Sequence, residues 1–454
     1  MTTEKPTQSE QLVIESRRLF EQGQKGRAVR LLKTAVRLDP TNTAAHLDLA
    51  RQLLSSGHHQ AAVAALKRGG DLVEIAPRLC LANALRQCFR LIESEHILRE
   101  ILRQQPQHIG STYALATLLR ESNKPVQAIE AYQQVIQMCT DQQAEKIGKD
   151  GQALLLESEW WLANCFLKIR DYEQGWSQYE KRLAVSRIPS PTKWGKPWVG
   201  ESLQNCRILL AYEQRFGDAI QFIRFAPLLK ELGAEVLVEA PPELQRLFKF
   251  AKGVDRVVAN PSQLIVGTND YSIPLTSLPA MLGSGDNLLT DQLPGFELTD
   301  PEKNISTSGE QQKIGLIWAG KPQPDRSCPL HHLLPLLEIP GIALFSFQTG
   351  EQKKQPGGLR SAWIFTDLSE QFRDFYESAQ LMRQMDLIIT IDSAPAHLAG
   401  ALGIPVWLLT RYDADWRWGV DQVYSDWYPS MRIFRQHMPG NWQGIGQRLA
   451  EALQ

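Results

Sequence analysis

The 454-residue chain is poor in cysteine, in net charge and in uninterrupted apolar sequence. Its 6 cysteines include no CxxC pair, so the sequence gives no basis for a disulfide framework or a cysteine metal site. Lysine and arginine number 49 against 50 aspartates and glutamates. That balance gives no reason to expect nucleic acid or an anionic membrane as a partner. The first residues lack a signal-peptide pattern, so we expect a cytoplasmic location.

Several motifs with well-defined chemistry are also missing. The sequence contains no Walker loop, no GxGxxG turn, no HExxH pair and no serine-nucleophile elbow. These absences argue against a nucleotide hydrolase, a dehydrogenase and a protease.

Residues 9–183 have the pattern of helical repeats. Small residues recur 34 positions apart, and prolines such as Pro40 and Pro106 close the units, which is typical of tetratricopeptide repeats. The interval from Ala62 to Ser94 is 32 residues, and a polar insert at 140–151 precedes the last of about five predicted units. The pairs with the 34-residue spacing are Ala28 and Ala62, Ala82 and Ala116, and Ser94 and Ala128.

Two interpretations of these repeats stay open. They form a scaffold without a ligand of its own, or a concave surface on which Asn83 and Asn164 bind peptide backbone. Residues 184–200, rich in proline, glycine and tryptophan, form the predicted connector to the second half.

Apolar strand-like runs alternate with helix-like segments from Cys206 onward. They fall into two series, 201–309 and 310–454, which predict two doubly wound α/β domains facing each other across a cleft. The predicted strands are 207–212, 235–239, 254–258, 313–318, 343–347, 363–365, 387–391 and 406–409, with helices at 218–232, 242–250, 369–385 and 394–402, and 259–309 is predicted to be irregular.

The segment 385–410 carries the strongest local signal. An apolar strand, a turn at Asp392-Ser393, a short helix from Ala394 and a second strand predict a βαβ unit. The helix N-terminus then offers free N–H groups to an anion such as a diphosphate, with His397 as a further donor. The alternatives are a transmembrane helix for the segment and a buried core role for His397.

Asp218 follows the first predicted strand of the α/β half, in the loop that also contains Gln214, Arg215 and Gly217. We expect Gly217 to permit a tight turn and Asp218 to begin the helix, with its carboxylate facing the cleft as a candidate general base. The alternative is that Asp218 only caps its helix.

The second α/β domain has polar residues after two further strands. Lys321 and Arg326 could contact a diphosphate, and Gln348 could contact a base or ribose. The alternative is that both basic residues are exposed loop residues. Asp413 and Asp415 leave a metal site open as a minor alternative, and we predict none.

The elements EQ-x-x-GDAIQFIRFAPLL, GLIWAGKP, IDSAPAHLAGALGIPVW, DADWRW and WYPSMRIFRQ together resemble a known architecture. They are similar to bacterial tetratricopeptide proteins with a carboxyl-terminal heptosyltransferase-like module of the GT-B glycosyltransferases. More distantly they resemble the O-linked GlcNAc transferases. The resemblance implies an α + α/β chain, in which a tetratricopeptide α-solenoid precedes a GT-B-like pair of Rossmann-type domains.

The same resemblance implies metal-independent transfer of a sugar from a nucleotide sugar to an acceptor hydroxyl, with no cofactor. Asp218 takes the place of the base, and Lys321 and Arg326 that of the basic residues. The repeats would present a protein or glycan acceptor. Arg215-Phe216 departs from the usual glycine-leucine-glycine-aspartate loop, so the alternative is an inactive transferase fold that serves as an interaction scaffold. The residues matching the donor-diphosphate element are Asp392, Ser393, Ala394, His397 and Leu398.

Overall fold

The computed structural model describes residues 6–70, 72–141, 148–185, 194–213, 215–283, 295–301, 304–306, 309–320, 325–354 and 365–454, with 148–150 described by their backbone alone. Two compact units share the chain, Met1–Leu162 and Ala163–Gln454. The domain boundaries expected from the sequence stay predictions.

The first unit consists of helical hairpins. Helices α1 to α8 pack in consecutive pairs, α1 on α2 through α7 on α8, and successive pairs also pack on one another. Ala28, Ala62, Ser94 and Ala128 are fully buried on the second helices, as the 34-residue register predicts. The helices are α1 (Gln8–Glu21), α2 (Lys25–Leu38), α3 (Thr43–Ser55), α4 (His59–Arg68), α5 (Ile75–Gln87), α6 (Leu91–Gln104), α7 (Ile109–Glu121), α8 (Pro125–Asp141) and α9 (Gly148–Lys168), which continues into the second unit.

The turn inside each hairpin repeats one backbone conformation. Gly23, Gly57, Phe89 and Asn123 all have positive φ, at 76°, 76°, 59° and 56°. The shorter interval between Gly57 and Phe89 reproduces the 32-residue spacing seen in the sequence. Glycine adopts this conformation without strain, whereas Phe89 adopts it at an energetic cost, because its Cβ is crowded there.

The first sheet of the second unit has the strand order β1-β5-β2-β3-β4, with parallel pairing throughout. The chain order reverses between β2 and β5, which is a switch point of a doubly wound sheet. The elements are α10 (Tyr172–Tyr179), α11 (Arg182–Val185), β1 (Lys196–Pro197), β2 (Arg207–Ala211), α12 (Phe216–Phe222), α13 (Ala226–Glu231), β3 (Glu235–Glu239), α14 (Pro242–Phe248), β4 (Arg256–Val258), β5 (Asp270–Pro274) and α15 (Leu278–Leu282).

The second sheet is also parallel, with the order β11-β10-β9-β6-β7-β8. Its switch point lies between β6 and β9, so a crevice opens beyond the carboxyl ends of these two strands. None of the described helices is long and apolar enough to cross a membrane. The elements are β6 (Gln312–Ile317), β7 (Ile342–Ser346), β8 (Phe365–Asp367), α16 (Phe375–Met382), β9 (Leu387–Ile391), α17 (Ala394–Ala401), β10 (Val406–Thr410), β11 (Met431–Arg435) and α18 (Ile445–Leu453).

The strand–helix–strand prediction for 385–410 is confirmed by β9, α17 and β10, which excludes a transmembrane helix there. Two other predictions were wrong. The helix expected over 218–232 begins at Phe216 and is interrupted by a 3-10 segment, Ile223–Phe225, because Pro227 has no N–H to continue the α-helical hydrogen bonds. The stretch expected to be irregular contains β5.

Aromatic side chains connect α10 to both sheets. Trp176 packs edge-on against Phe222 of α12 at 6.0 Å between ring centroids and against Trp416 at 5.3 Å. Trp416 in turn meets Trp427 at 5.7 Å. The two sheets and α10 therefore share one continuous apolar core.

Candidate functional site

The N-termini of two helices, each of which follows a strand of a different sheet, meet at the candidate site. α12 begins after β2, and α17 begins after β9, so both lie at the carboxyl ends of parallel strands. Gly217 lies at their contact, since a Cβ built on it would lie 2.8 Å from Cδ2 of His397 and 3.6 Å from Cα of Ala394. Only glycine fits this approach without displacing the imidazole. The two loops singled out in the sequence are therefore neighbours.

Asp218 lies in the first turn of α12 but does not cap it. The N-cap position is held by the exposed Arg215, whose side chain makes no capping hydrogen bond. Oδ1 of Asp218 accepts a hydrogen bond of 2.9 Å from Nη2 of Arg417. The Asp218 side chain is 17% exposed, and Oδ2 has no hydrogen-bond partner within the described residues. One carboxylate oxygen is therefore held and the other is open to a ligand.

Arg417 is the centre of the polar network at this site. Its Nη1 donates to Asp415 at 2.8 Å and its Nε donates to Gln221 at 2.5 Å, in addition to the bond with Asp218. Its guanidinium lies 4.2 Å from the ring centroid of Trp416. The side chain is only 6% exposed, and the neighbouring Asp415 and Asp218 carboxylates raise its pKa despite burial, so it is a fixed cation.

The sequence-based prediction did not include Arg417. The available signal was the string DADWRW, in which an arginine follows two aspartates and stands between two tryptophans. The aspartates were considered there only as metal ligands. In the structure Asp413 is paired with Arg411 and Asp415 with Arg417. Among the described residues, no three His, Cys, Asp or Glu side chains gather closely enough to hold a metal ion.

The N-terminus of α17 has unused donors. Pro395 occupies its first turn, and the Ser393 hydroxyl donates to the Ile391 carbonyl at 3.2 Å instead of capping the helix. Within the described part of the chain, the backbone N–H groups of Ser393 and Ala394 have no acceptor. The helix therefore presents two N–H groups and the positive end of its dipole at the carboxyl end of β9.

Asp392 and Arg326 form an ion pair at the switch point between β6 and β9. Nη1 of Arg326 lies 3.2 Å from Oδ2 of Asp392 and donates to the Asp392 carbonyl at 3.1 Å. Burial raises the pKa of the Asp392 carboxyl, an effect that Arg326 opposes. The Arg326 side chain is 37% exposed, so it remains accessible to a ligand while it lies beside the α17 N-terminus.

His397 is almost completely buried, with 5% of its surface exposed. Its Nδ1 and the Tyr428 hydroxyl are 2.9 Å apart, and its ring lies 5.4 Å from that of Trp418. Burial, followed by the nearby Arg417 guanidinium, lowers the pKa of His397 well below its ordinary value of 6.5. The imidazole is therefore neutral at neutral pH and can serve an anion as a hydrogen-bond donor but not as a cation.

The remaining predicted residues occupy varied positions. Leu398 is fully buried in the core. Gln348 is also buried, and its amide is used by the backbone: Oε1 accepts from Trp318 and Ala319, and Nε2 donates to Ala319 and Thr349. It holds two loops together, and a contact with a nucleotide stays a prediction. Gln214 and Lys321 lie outside the described residues.

Glu213 supports the loop that carries Asp218. It is hydrogen-bonded by the buried Arg182 of α11, at 3.0 Å from Nε to Oε1, and by the backbone N–H of Thr276 at 3.1 Å. Its side chain is 9% exposed. The start of the loop is thus fixed by an ion pair with a helix outside the first sheet.

Comparison with known proteins supports the helical repeats most clearly. The tetratricopeptide repeat family matches residues 19–72. Protein FlbA of Caulobacter vibrioides is 25% identical over 336 residues, which cover 64% of this chain and 54% of FlbA. The chain thus spans about half the length of that relative. The amino-terminal part of the chain contains tetratricopeptide repeats.

Two solved structures match parts of the chain at low TM-scores. A thermophilic tetratricopeptide protein of Thermus thermophilus matches 39% of this chain and 91% of its own, at 17% identity and a TM-score of 0.31. A glycosyl transferase family 9 structure from Veillonella parvula matches 56% of this chain and 98% of its own, at 11% identity and a TM-score of 0.41.

Proposed function

We propose that the chain is a glycosyltransferase with a GT-B-like pair of α/β domains, which uses a nucleotide sugar as donor. One observation carries the proposal: the candidate base Asp218 and the free N–H groups at Ser393 and Ala394 lie on helices that touch at Gly217. A base and an anion site on adjoining elements are what transfer from a diphosphate requires, because the acceptor and the leaving group flank the same anomeric carbon.

The proposed reaction assigns a role to each group. Oδ2 of Asp218 accepts the proton of the acceptor hydroxyl while its oxygen forms a bond to the anomeric carbon. The bond from that carbon to the diphosphate oxygen breaks, and the nucleoside diphosphate leaves with the electron pair. The N–H groups of α17, the Arg326 guanidinium and the N–H of His397 stabilise the departing charge.

Arg417 orients the proposed base. Its guanidinium holds Oδ1 of Asp218 at 2.9 Å, so it orients the proton-accepting carboxylate. Arg326, which contacts the side chain and carbonyl of Asp392 just before α17, supplies positive charge at that helix N-terminus. We therefore propose that transfer needs no metal ion and no cofactor.

In this proposal the repeats recruit the acceptor. Solenoids bind partners through extended concave surfaces, so the amino-terminal repeats would hold a protein or glycan-bearing acceptor. The nature of the sugar is set by loop contacts and is left open by the fold.

A second function is favoured by one feature of the same site. The Asp218 carboxylate already has a buried cationic partner, and Gly217 packs directly on His397. This arrangement also suits an inactive transferase fold that has become an interaction scaffold, with the ion pair as a structural link.

Parallel measurements of donor binding and of turnover distinguish the transferase from the scaffold. The full chain is titrated calorimetrically with UDP, GDP, ADP and CDP, and each matching sugar nucleotide is then assayed for hydrolysis and transfer, with and without EDTA. We expect one nucleotide to bind the wild-type chain and to bind His397→Ala at least 10-fold more weakly, with EDTA-resistant turnover. Binding without turnover would favour the scaffold, and absence of binding would overturn the transferase.

A further inference from the structure

His397, Tyr428 and Arg224 form a chain of buried groups behind the α17 N-terminus. The Tyr428 hydroxyl is 2.9 Å from Nδ1 of His397. The Arg224 guanidinium packs against Tyr428, 5.1 Å from the centre of its ring. Arg224 lies in the 3-10 segment that follows α12, His397 lies in α17, and Tyr428 lies in the loop before β11.

The buried Arg224 cation fixes the direction of the bond between Tyr428 and His397. A hydroxyl beside a fixed cation turns its oxygen lone pairs to the cation and its proton away from it. The hydroxyl proton is then directed to Nδ1 of His397, which must be an acceptor. In a neutral imidazole whose Nδ1 accepts, the proton resides on Nε2.

Arg224 strengthens this constraint because its guanidinium is buried and held in place by backbone carbonyls. It is 3% exposed, and its Nη1 and Nη2 both donate to the Trp427 carbonyl at 3.1 Å while Nε donates to the Gln221 carbonyl at 2.9 Å. No carboxylate of the described residues pairs with it. A proton on Nδ1 would face the hydroxyl that this cation polarises.

The other side of the ring faces the candidate site. A Cβ on Gly217 would lie 3.3 Å from Nε2 of His397, so Nε2 points to the contact between α12 and α17. Within the residues that the structure describes, Nε2 has no hydrogen-bond partner. Nδ1 of the buried ring is thus hydrogen-bonded to the Tyr428 hydroxyl, whereas Nε2 is directed at the contact between α12 and the α17 N-terminus.

We propose that Tyr428 and Arg224 are positioning residues that lock His397 in the Nε2–H tautomer, so that it donates a hydrogen bond to the diphosphate of the donor. The tautomer stands on the structure alone, whereas its use rests on the function proposed above. A hydroxyl that donates to Nδ1 also opposes protonation there, so the imidazole stays neutral as the pH falls. The charged and titratable groups that face His397 are Arg417, Asp415, Arg224, Arg326 and Tyr428.

The tautomer is measured directly by ¹⁵N NMR of the full chain labelled at histidine, with the His397 signals identified by their loss in His397→Gln. We expect an unprotonated Nδ1 and a protonated Nε2, unchanged as the pH passes below 6.5. Tyr428→Phe keeps the ring against Gly400 but removes the donor, so its spectrum should show exchange between tautomers and protonation at a higher pH. A protonated Nδ1 in the wild type, or an unchanged spectrum in Tyr428→Phe, overturns the proposal.

Nucleotide binding tests the use of the tautomer. Glutamine places an amide N–H near Nε2 and asparagine places one near Nδ1, so His397→Gln should bind the nucleoside diphosphate found by titration more tightly than His397→Asn. Tyr428→Phe should weaken binding about 2- to 10-fold, the effect of one hydrogen bond. The matched control is Tyr424→Phe, which changes an exposed tyrosine four residues earlier and should bind as the wild type does.

The outcomes distinguish this inference from the proposed function. If the predicted tautomer is present but no nucleotide binds the wild type, the proposed function and the diphosphate contact both fail. If a nucleotide binds and Tyr428→Phe binds equally well, the positioning role fails and the proposed function stands.

Discussion

The Arg417 guanidinium and the Asp218 carboxylate, 199 residues apart in the chain, are joined by a hydrogen bond of 2.9 Å from Nη2 to Oδ1. Asp218 belongs to the helix that follows the first long strand of one sheet, and Arg417 to the loop that follows β10 of the other. The pair therefore links the carboxyl ends of the two sheets at the point where chemistry is expected.

Arg417→Lys should destabilise the fold. An ammonium group cannot reach Asp218, Asp415 and Gln221 at once, so at least one of these partners loses its hydrogen bond. The free energy of unfolding should fall by about 1 to 3 kcal/mol, the usual effect of leaving a polar group unpaired. Urea denaturation measures it. Arg411 is 26% exposed, against 6% for Arg417, and pairs with the single carboxylate of Asp413 among the described residues. Arg411→Lys should therefore change stability by less than about 1 kcal/mol, and equal losses in both variants would contradict the central role of Arg417.

Asp218→Asn should abolish turnover and spare donor binding. The amide oxygen can still accept from Arg417, but the side chain no longer takes up a proton. Loss of a general base lowers kcat about 10²- to 10⁴-fold. The check is the rate of sugar transfer beside the calorimetric Kd for the nucleotide. The control is Asp413→Asn, which alters a carboxylate whose ion pair within the described residues is with Arg411. A turnover of Asp218→Asn near that of the wild type would remove Asp218 from the mechanism.

Gly217→Ala should weaken both the fold and the site. Its methyl group would lie 2.8 Å from Cδ2 of His397, so either the ring or α12 must move. Overpacking of this kind lowers the free energy of unfolding by about 1 to 3 kcal/mol. Gly26→Ala makes the same change in α2, where nothing lies within 4 Å of the added carbon, and should be neutral or slightly stabilising. Thermal melting compares the two, and a Gly217→Ala melting temperature equal to that of the wild type would contradict the close approach.

Stability should decline as the pH falls below 6.5, with His397 as one contributor. Its pKa is lowered in the folded chain and ordinary in the unfolded chain, so the unfolded chain binds more protons in that range and is favoured. The raised pKa of Asp392 has the opposite effect on stability as the pH falls. Because Asp392 is present in every protein compared, its effect cancels in the comparison. His397→Gln should therefore lose stability less steeply than the wild type in melting experiments across this range. His437→Gln, at an exposed position, serves as the control. A slope of His397→Gln identical to that of the wild type would show that His397 does not contribute.

The sequence predicted the parts of the site that depend on local pattern. Asp218 and Asp392 each follow an apolar strand and lie at or just before the start of a helix, and strand ends of this kind gather at one edge of a parallel sheet. Arg417 lies at no strand-to-helix junction, and its acceptors Asp218 and Gln221 lie on α12, so they meet it only after the two sheets are packed. The strand β5 was missed since DYSIP lacks a continuous apolar run.

The two tryptophans that flank Arg417 make the site optically observable. Trp416 faces the cluster of Trp176, Tyr179 and Trp427, whereas Trp418 lies against His397 and Tyr428. Any ligand that draws Arg417 away from Asp218 has to shift the environment of two buried indoles, one on each side of the cation. The chain thus carries its own fluorophores beside the ion pair, and stopped-flow emission could time the rearrangement without a label.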